Sequence, residues 1–216
     1  MNNKAVVIIS SLAILVGLYF TGAHLYKGEE IKQGVSFAEK HAERFVRPHS
    51  PWKGAEKPVV TVVEFLDPEC ESCRKFHKPL KKIVYDYDVK VKFVIRYAPL
   101  HTNSKFAIKI LHAAEKQGKY WQTLDLLFEH QPEWGNHHNP NPNLIWTLLP
   151  KLGLDMKKIR ADIQEPWLDE IIRRDEEDGK ALGVQQTPTF FVNGKPVLEF
   201  GPEHLKAAID DELFKL

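Results

Sequence analysis

The strongest constraint in this sequence is the run Val59-Val60-Thr61-Val62-Val63-Glu64-Phe65-Leu66, β-branched or apolar almost throughout and closed by Asp67-Pro68. Such a run reads as a strand covered on both faces, so the rest of the chain must be built around it. The next segment supplies one cover. From Cys70 to Tyr87, the residues Cys73, Phe76, Leu80, Ile83, Val84 and Tyr87 recur at helical spacing, while Arg74, Lys75, Lys78, Lys81 and Lys82 fall mostly on the other side. A helix is predicted to begin at the first cysteine, with a kink at Pro79 where a backbone donor is missing. Lys90 to Tyr97 then alternates Val91, Phe93, Ile95 and Tyr97 against Lys90, Lys92, Val94 and Arg96. This predicts a second strand, parallel to the first through the helical crossover, and hence a βαβ unit.

A long helical region, about 101–183, interrupts the sheet; its patterns include Phe106 to Ala114, Trp121 to Phe128, Leu144 to Leu152 and Ile159 to Ile171, and its loops include Pro132 to Asn143. After it, Thr189 to Val192 and Pro196 to Phe200 flank Asn193-Gly194, the signature of a two-residue hairpin turn. Gly201-Pro202 introduces a last helix, Glu203 to about Leu213. The expected fold class is α/β, with a helical insertion between a βαβ unit and a C-terminal hairpin-helix unit. The globular part is expected over 57–216. Ahead of it, 28–56 is expected as an amphipathic stalk helix that ends before Pro48, followed by a linker, and 1–27 as a signal anchor or cleavable signal peptide. Lys4 before the apolar run Ala5–Phe20 orients the N-terminus to the cytoplasm, so the remainder is expected in the periplasm or an equivalent oxidising space, attached to the membrane through this first segment if it is not cleaved.

The 30 Lys+Arg against 29 Asp+Glu leave a formal charge of +1, which provides no field for wrapping nucleic acid. Only two cysteines occur, Cys70 and Cys73, which excludes a disulfide-stapled miniature scaffold and a four-cysteine zinc site. Placed on the first turn of a helix, they can close a disulfide and reopen it with little backbone movement. So short a loop removes little unfolded-state entropy, so stability alone is a weak reason for the pair. Cys70 sits where helical N–H groups are unpaired, which favours its thiolate and makes it the natural nucleophile; Cys73, a turn further in, is the resolving thiol. Three other readings stay open on spacing alone: half of a zinc site with His77, a structural disulfide, or two inert thiols. The adjacent imidazoles in Gly135-Asn136-His137-His138-Asn139 read first as a polar loop and second as a copper or zinc capture point, and Trp121, Phe190 and Phe191 read as core or groove-lining aromatics.

The stretch Val62-Val63-Glu64-Phe65-Leu66-Asp67-Pro68-Glu69-Cys70-Glu71-Ser72-Cys73, followed by Phe76-His77, resembles the entry to the active-site helix of DsbA-type thioredoxin-fold proteins. Gln186-Thr187-Pro188-Thr189-Phe190-Phe191-Val192-Asn193-Gly194 is similar to that family's cis-proline loop and hairpin, and Leu100-His101 leading through Ser104 to Phe128 to its helical insertion. The resemblance runs from about residue 50 to the C-terminus. It implies a thioredoxin fold in which Cys70 forms a mixed disulfide with an unfolded or partly folded protein client and Cys73 resolves it, with no cofactor and no metal. It implies a cis bond before Pro188, with the backbone of Thr187 pairing with an extended client segment beside Glu71 and Ser72. It also places Glu64 where a buried acid moves protons to and from the inner cysteine; on a doubly covered strand, such a carboxyl has a raised pKa. A membrane or soluble redox partner would recycle the pair.

Between its cysteines, this chain carries Glu71-Ser72 instead of the Pro-His of strongly oxidising members or the Gly-Pro of reducing thioredoxins. DsbA-like disulfide formation, reduction or isomerisation by the same dithiol, and a metal-handling or client-binding module using the cysteines as ligands are therefore all kept as readings. A helix end favours a thiolate by about 0.3–2 kcal/mol. One carboxylate at ~7 Å opposes it by roughly 0.6–2.4 kcal/mol. Asp67, Glu69 and Glu71 are thus expected to make Cys70 less acidic than in the Pro-His members.

Overall fold

The computed structural model describes residues 15–23, 25, 38–136 and 138–215, in two units, 1–40 and 41–216. In the first unit, residues 15–23 are helical. Among the described residues, no helix is long and apolar enough to cross a membrane. Most of the expected anchor (1–27) and much of the expected stalk lie outside the described residues, so the expected transmembrane helix gains no support.

The second unit is built on a five-stranded sheet of order β1-β3-β2-β4-β5, with β1 Trp52–Gly54, β2 Val60–Leu66, β3 Val91–Tyr97, β4 Thr189–Val192 and β5 Lys195–Pro196. The predicted βαβ unit is present. β2 and β3 are parallel, from Val60 opposite Val91 to Leu66 opposite Tyr97, and α2 (Glu71–Tyr87) forms the crossover. The insertion comprises α3 (Ser104–Glu115), α4 (Tyr120–Glu129), α5 (Gln131–Trp134), α6 (Ile145–Leu148), α7 (Met156–Asp162) and α8 (Pro166–Ala181); α9 (Pro202–Leu213) follows the hairpin, and α1 (Ala42–Phe45) precedes the sheet.

Three details differ from the sequence expectation. Trp52-Lys53-Gly54, expected within a linker, pairs antiparallel with β3 and forms the sheet edge; Gly54, at φ 95°, takes a conformation that only glycine adopts freely. The second hairpin strand ends at Pro196 instead of running to Phe200, because Pro196 cannot donate to a ladder and only Val197 N–H still reaches the Phe190 carbonyl, at 2.9 Å. The Pro132–Asn143 segment, expected as loop, starts inside α5, where Pro132 occupies the first turn, which has donors to spare.

Alternation along β2 sends Val60, Val62, Glu64 and Leu66 to one face and Val63 and Phe65 to the other. On the first face, Val60, Val62 and Phe93 pack with Phe76, Leu80 and Ile83 of α2 and Leu205 and Ile209 of α9. The insertion forms a second core around Leu111, Leu127, Trp134, Ile145 and Leu149, which includes both cysteines at its margin. On the opposite face of the sheet, Arg96, fully buried, lies between Asp175 and Asp178 of α8 (2.7 and 2.8 Å). Arg44 and Arg47 also bind Asp178, and His49 binds Asp175, so the segment ahead of β1 is tied onto this unit through the same two carboxylates.

Candidate active site

Cys70 caps α2: its backbone is extended (φ −75°, ψ 123°) and no side chain caps the helix, so the first-turn N–H groups face its sulfur. Both thiols are free, but they differ sharply in environment. Cys70 keeps 8% of its surface exposed, and Cys73 none. A hydrogen bond from the Cys73 thiol, helped by Thr187 and by the backbone N–H groups of Cys73 and Ser72, outweighs burial and lowers Cys70 from 9.0 to about 5. Burial drives Cys73 well above 9.0, and its hydrogen bond to Cys70 and the charge of Glu64 push the same way.

The Thr187–Pro188 bond is cis and brings Thr187 against the active-site helix, where the Cys70 thiol donates to its carbonyl at 3.3 Å. Among the described residues, the buried Thr187 hydroxyl has no hydrogen-bond partner and is available to the Cys70 thiolate. Pro188 is buried, and Glu71 and Ser72 are exposed. Phe190, two residues beyond Pro188, stacks on Phe76 of α2 (centroids 4.8 Å apart), which fixes the proline loop relative to the cysteine helix.

Glu64 lies on β2 between Ile95 and Phe190. It is 3% exposed, and burial, with a smaller contribution from the Cys70 charge, raises its carboxyl from 4.5 to about 8. Its small exposed area opens into a cleft of about 430 Å³ walled by Lys53, His77, Leu80, Trp121 and Asp125. The Lys53 ammonium sits 4.6 Å from the Trp121 ring centroid, and desolvation lowers its pKa. Opposite, His77 bonds Asp125 at 2.6 Å and stacks on Phe128, so it is engaged with α4 and not with the cysteines. Among the described residues, no cluster of histidines, cysteines and carboxylates is arranged to hold a metal; His137 lies outside them.

Of the three carboxylates expected to oppose the Cys70 charge, two are engaged in hydrogen bonds with the turn that starts the insertion. Asp67, fully buried, accepts from Glu69 N–H (2.8 Å), Leu100 N–H (2.7 Å), Ser104 Oγ (2.6 Å) and His101 Nδ1 (2.7 Å). Glu69 accepts from Asn103 N–H and Nδ2 at 2.6 and 2.7 Å. Glu71 points to solvent. Gln131 of α5 completes the frame: its amide donates to the carbonyls of Pro68 and Cys70, both at 2.9 Å, and its oxygen accepts from Arg74 Nε at 3.0 Å. None of Lys53, His101, Asn103 and Gln131 was singled out as a site residue from the sequence. Gln131, a buried amide between a pattern read as helix and one read as loop, left no local signal.

Residues 47–211 match the family model Thioredoxin_4, described as thioredoxin. Among solved structures, the chain resembles a thioredoxin-like oxidoreductase from Silicibacter pomeroyi DSS-3 (29% identity, 80% of this chain and 96% of that one, TM-score 0.68). It also resembles oxidised BdbD from Bacillus subtilis (26% identity, 77% and 94%, TM-score 0.69). The thiol-disulfide exchange protein alpha-DsbA2 of Wolbachia pipientis shares the fold at 20% identity, with 83% and 96% covered and a TM-score of 0.71. Curated relatives include a Na(+)/H(+) antiporter NhaA from Herminiimonas arsenicoxydans, 30% identical over 143 residues, which are 66% of this chain and 22% of the antiporter. This chain thus spans about a quarter or less of the length of the curated relatives it matches. The cysteine helix, the cis-proline loop and the inserted helices all lie within the matched residues, and the chain belongs to the thioredoxin family.

Proposed function

We propose that this chain exchanges disulfides with cysteine-containing protein clients outside the cytoplasm, and that it runs in the direction of disulfide formation. The asymmetry of the two sulfurs carries the reading: Cys70 keeps a small exposed surface and is ionised near pH 5, whereas Cys73 is sealed and held as a thiol. In the oxidising direction, a client thiolate attacks Cys70 Sγ of the Cys70–Cys73 disulfide, and Cys73 leaves and takes a proton. A second client thiolate then attacks the client sulfur of the mixed disulfide and expels Cys70 as a thiolate. The client gains one S–S bond, and the enzyme gains two electrons. An acidic Cys70 is the better leaving group in the second step and stabilises the reduced enzyme, which favours oxidation of the client over its reduction.

The other residues take supporting roles. Glu64, neutral below about pH 8 and open to the cleft, donates a proton to the departing Cys73 and is reprotonated from solvent past Lys53. Thr187 presents its backbone beside Cys70 for pairing with an extended client strand, Pro188 holds that backbone in place, and Glu71 and Ser72 border the approach. Export rests on the sequence of residues 1–27. Reoxidation of the dithiol requires a separate oxidising partner.

The test is oxidation of a reduced, unfolded protein, together with the equilibrium potential in glutathione buffers. Cys70→Ser is expected to abolish turnover, and Cys73→Ala, offered an oxidised client, to accumulate client mixed disulfides as its Cys70 thiolate attacks a client disulfide and expels one client thiolate. A protein that neither oxidises the substrate nor traps clients through Cys73→Ala overturns the reading.

A further inference from the structure

Neither residue between the cysteines carries positive charge, yet a cation stands at the base of the same loop. His101, in the turn ahead of α3, has its side chain 28% exposed and its Nδ1 2.7 Å from Asp67 Oδ2. Asp67 in turn is fastened to the reacting sulfurs, since its carbonyl accepts the Cys70 N–H at 3.1 Å and its own N–H points at the Cys73 sulfur. Asp67, Glu69 and Cys70, all of which are negative when charged, act on the imidazole.

We propose that His101 is a positioning residue for disulfide exchange: locked by Asp67 beneath the CxxC loop, its imidazolium adds positive charge that, beside the hydrogen bonds to the sulfur, favours Cys70 as a thiolate. The inference rests on the reading that Cys70 is the exchanging sulfur and adds a further contributor to its acidity. Burial lowers the imidazole, but the hydrogen bond and charge of Asp67, with the charges of Cys70 and Glu69, outweigh it and raise its pKa above 6.5. Electrostatic coupling is reciprocal, so the free energy by which the thiolate favours the imidazolium is the free energy by which the imidazolium favours the thiolate. His101 is therefore protonated across the range near pH 5 in which Cys70 ionises. Its charge also cancels that of Asp67, whose carboxylate would otherwise repel the sulfur.

Coupling to redox state is a direct consequence. Reduction by two glutathione molecules breaks the Cys70–Cys73 bond, forms glutathione disulfide, and delivers two electrons and two protons. Cys73 keeps one proton; Cys70 stays ionised near neutral pH, so the other goes to solvent or, where His101 was neutral opposite the disulfide, to His101. The pKa of His101 is thus higher in the dithiol than in the disulfide, and the potential falls more steeply with pH between those two values.

Two variants test this in the full chain. His101→Gln keeps a donor for Asp67 without a charge, and His101→Lys keeps a charge. The readouts are the pH midpoint of Cys70 alkylation by iodoacetamide and the glutathione potential as a function of pH. In His101→Gln, the midpoint is expected to rise by roughly 0.5–1 unit, the coupling of a partly screened pair. The equilibrium constant for oxidising glutathione falls threefold to tenfold with it, about 15–30 mV, and the extra pH slope disappears. His101→Lys restores the midpoint. Thermal melts show whether each variant is folded. If His101→Gln is folded with midpoint, potential and slope unchanged, His101 is a structural hydrogen-bond donor and the proposal is overturned. It is equally overturned if His101→Lys is folded and shows the same raised midpoint as His101→Gln. If His101→Gln does not fold, a folded His101→Lys decides alone: retention of the wild-type midpoint without the extra pH slope supports the proposal, and a raised midpoint refutes it. Failure of the client-oxidation assay with an intact alkylation profile is a separate outcome that counts against the functional reading only.

Discussion

Glu64→Gln puts a neutral, isosteric amide where the structure buries a carboxyl, and its effect on stability can be worked out in advance. The carboxyl titrates near 4.5 in the unfolded chain and at about 8 in the fold. A raised carboxyl pKa means that the native state holds its proton while the unfolded state loses it, so stability is full below pH 4.5 and drains away as the pH rises towards 8. At pH 7, about 2.5 units above the unfolded value, the cost at 1.36 kcal/mol per unit is about 3 kcal/mol. Glu64→Gln is spared that cost. Its melting temperature at pH 7 is expected to exceed that of the wild type by about 6–12 °C, at 2–4 °C per kcal/mol for a domain of this size. The gap closes by pH 4, where both side chains are neutral. Because the Cys70 charge adds to the shift, the gap is smaller in the oxidised protein than in the dithiol form. The assay is differential scanning calorimetry from pH 4 to 8 in both redox states, alongside stopped-flow release of a client mixed disulfide. The stabilised variant is expected to be the slower enzyme, by about 10²-fold if Glu64 is the proton donor to Cys73. The Cys70 alkylation midpoint should not move, since Glu64 is already neutral at pH 5. A melting-temperature difference independent of pH would refute the assignment of a strongly raised carboxyl.

Other perturbations have equally definite outcomes. Arg96→Met leaves Asp175 and Asp178 buried without their inner cation and is expected to cost about 3–5 kcal/mol by urea unfolding at pH 7. Gly54→Ala forces a side chain onto a φ of 95° with its Cβ 2.1 Å from the Val91 carbonyl oxygen, so the β1 edge must detach; hydrogen exchange at Ala55 and Ile95 is expected to accelerate at least tenfold. Asp125 is held at about 2 because His77 and Lys81 outweigh its desolvation; its stabilisation is present above pH 3.8 and lost as the pH falls towards 2. As that carboxylate is 43% exposed, Asp125→Asn is expected to cost less than about 1 kcal/mol at pH 7 and nothing at pH 2 in acid titrations followed by circular dichroism.

The parts of the fold that announce themselves in the sequence are those whose local pattern and tertiary role coincide. Val60 to Leu66 is apolar because both of its faces are covered, and the spacing from Cys73 to Ile83 reproduces one buried stripe of α2. β3 shows where that reading stops. Its apparent alternation puts Val94 and Arg96 on the polar side, yet both are buried, because Arg96 meets two carboxylates delivered by α8 about 80 residues later. A charged residue in a strand signals solvent unless its partner is known, and nothing near Arg96 in sequence names Asp175. β1 was hidden for a related reason. Trp52-Lys53-Gly54 has linker composition, and its strand conformation comes from the free edge of β3 and not from its own propensity. Lys53 is thereby carried to the cleft below Glu64, a placement invisible without the edge pairing.

The active-site loop sharpens the same point. Counting carboxylates near Cys70 sets up a near balance with the helix end, because a count assigns each charge a distance but no direction. In the structure, Asp67 and Glu69 spend their lone pairs on the turn that starts the insertion: Leu100, His101, Asn103 and Ser104. From the other side, Gln131 gathers the carbonyls of Pro68 and Cys70 and leaves the first-turn N–H groups of α2 to the sulfur. The inserted helices therefore do more than enlarge the core. They convert two acids that would repel a thiolate into the fastening of its loop, and the acidity of Cys70 depends on residues more than 30 positions away in the chain as much as on the pair between the cysteines. By this logic, Asn103→Ala, which strips one donor from Glu69 without touching either sulfur, should raise the alkylation midpoint of Cys70. If instead that midpoint responds only to changes at Glu71 and Ser72, the control is local and the insertion is merely a scaffold.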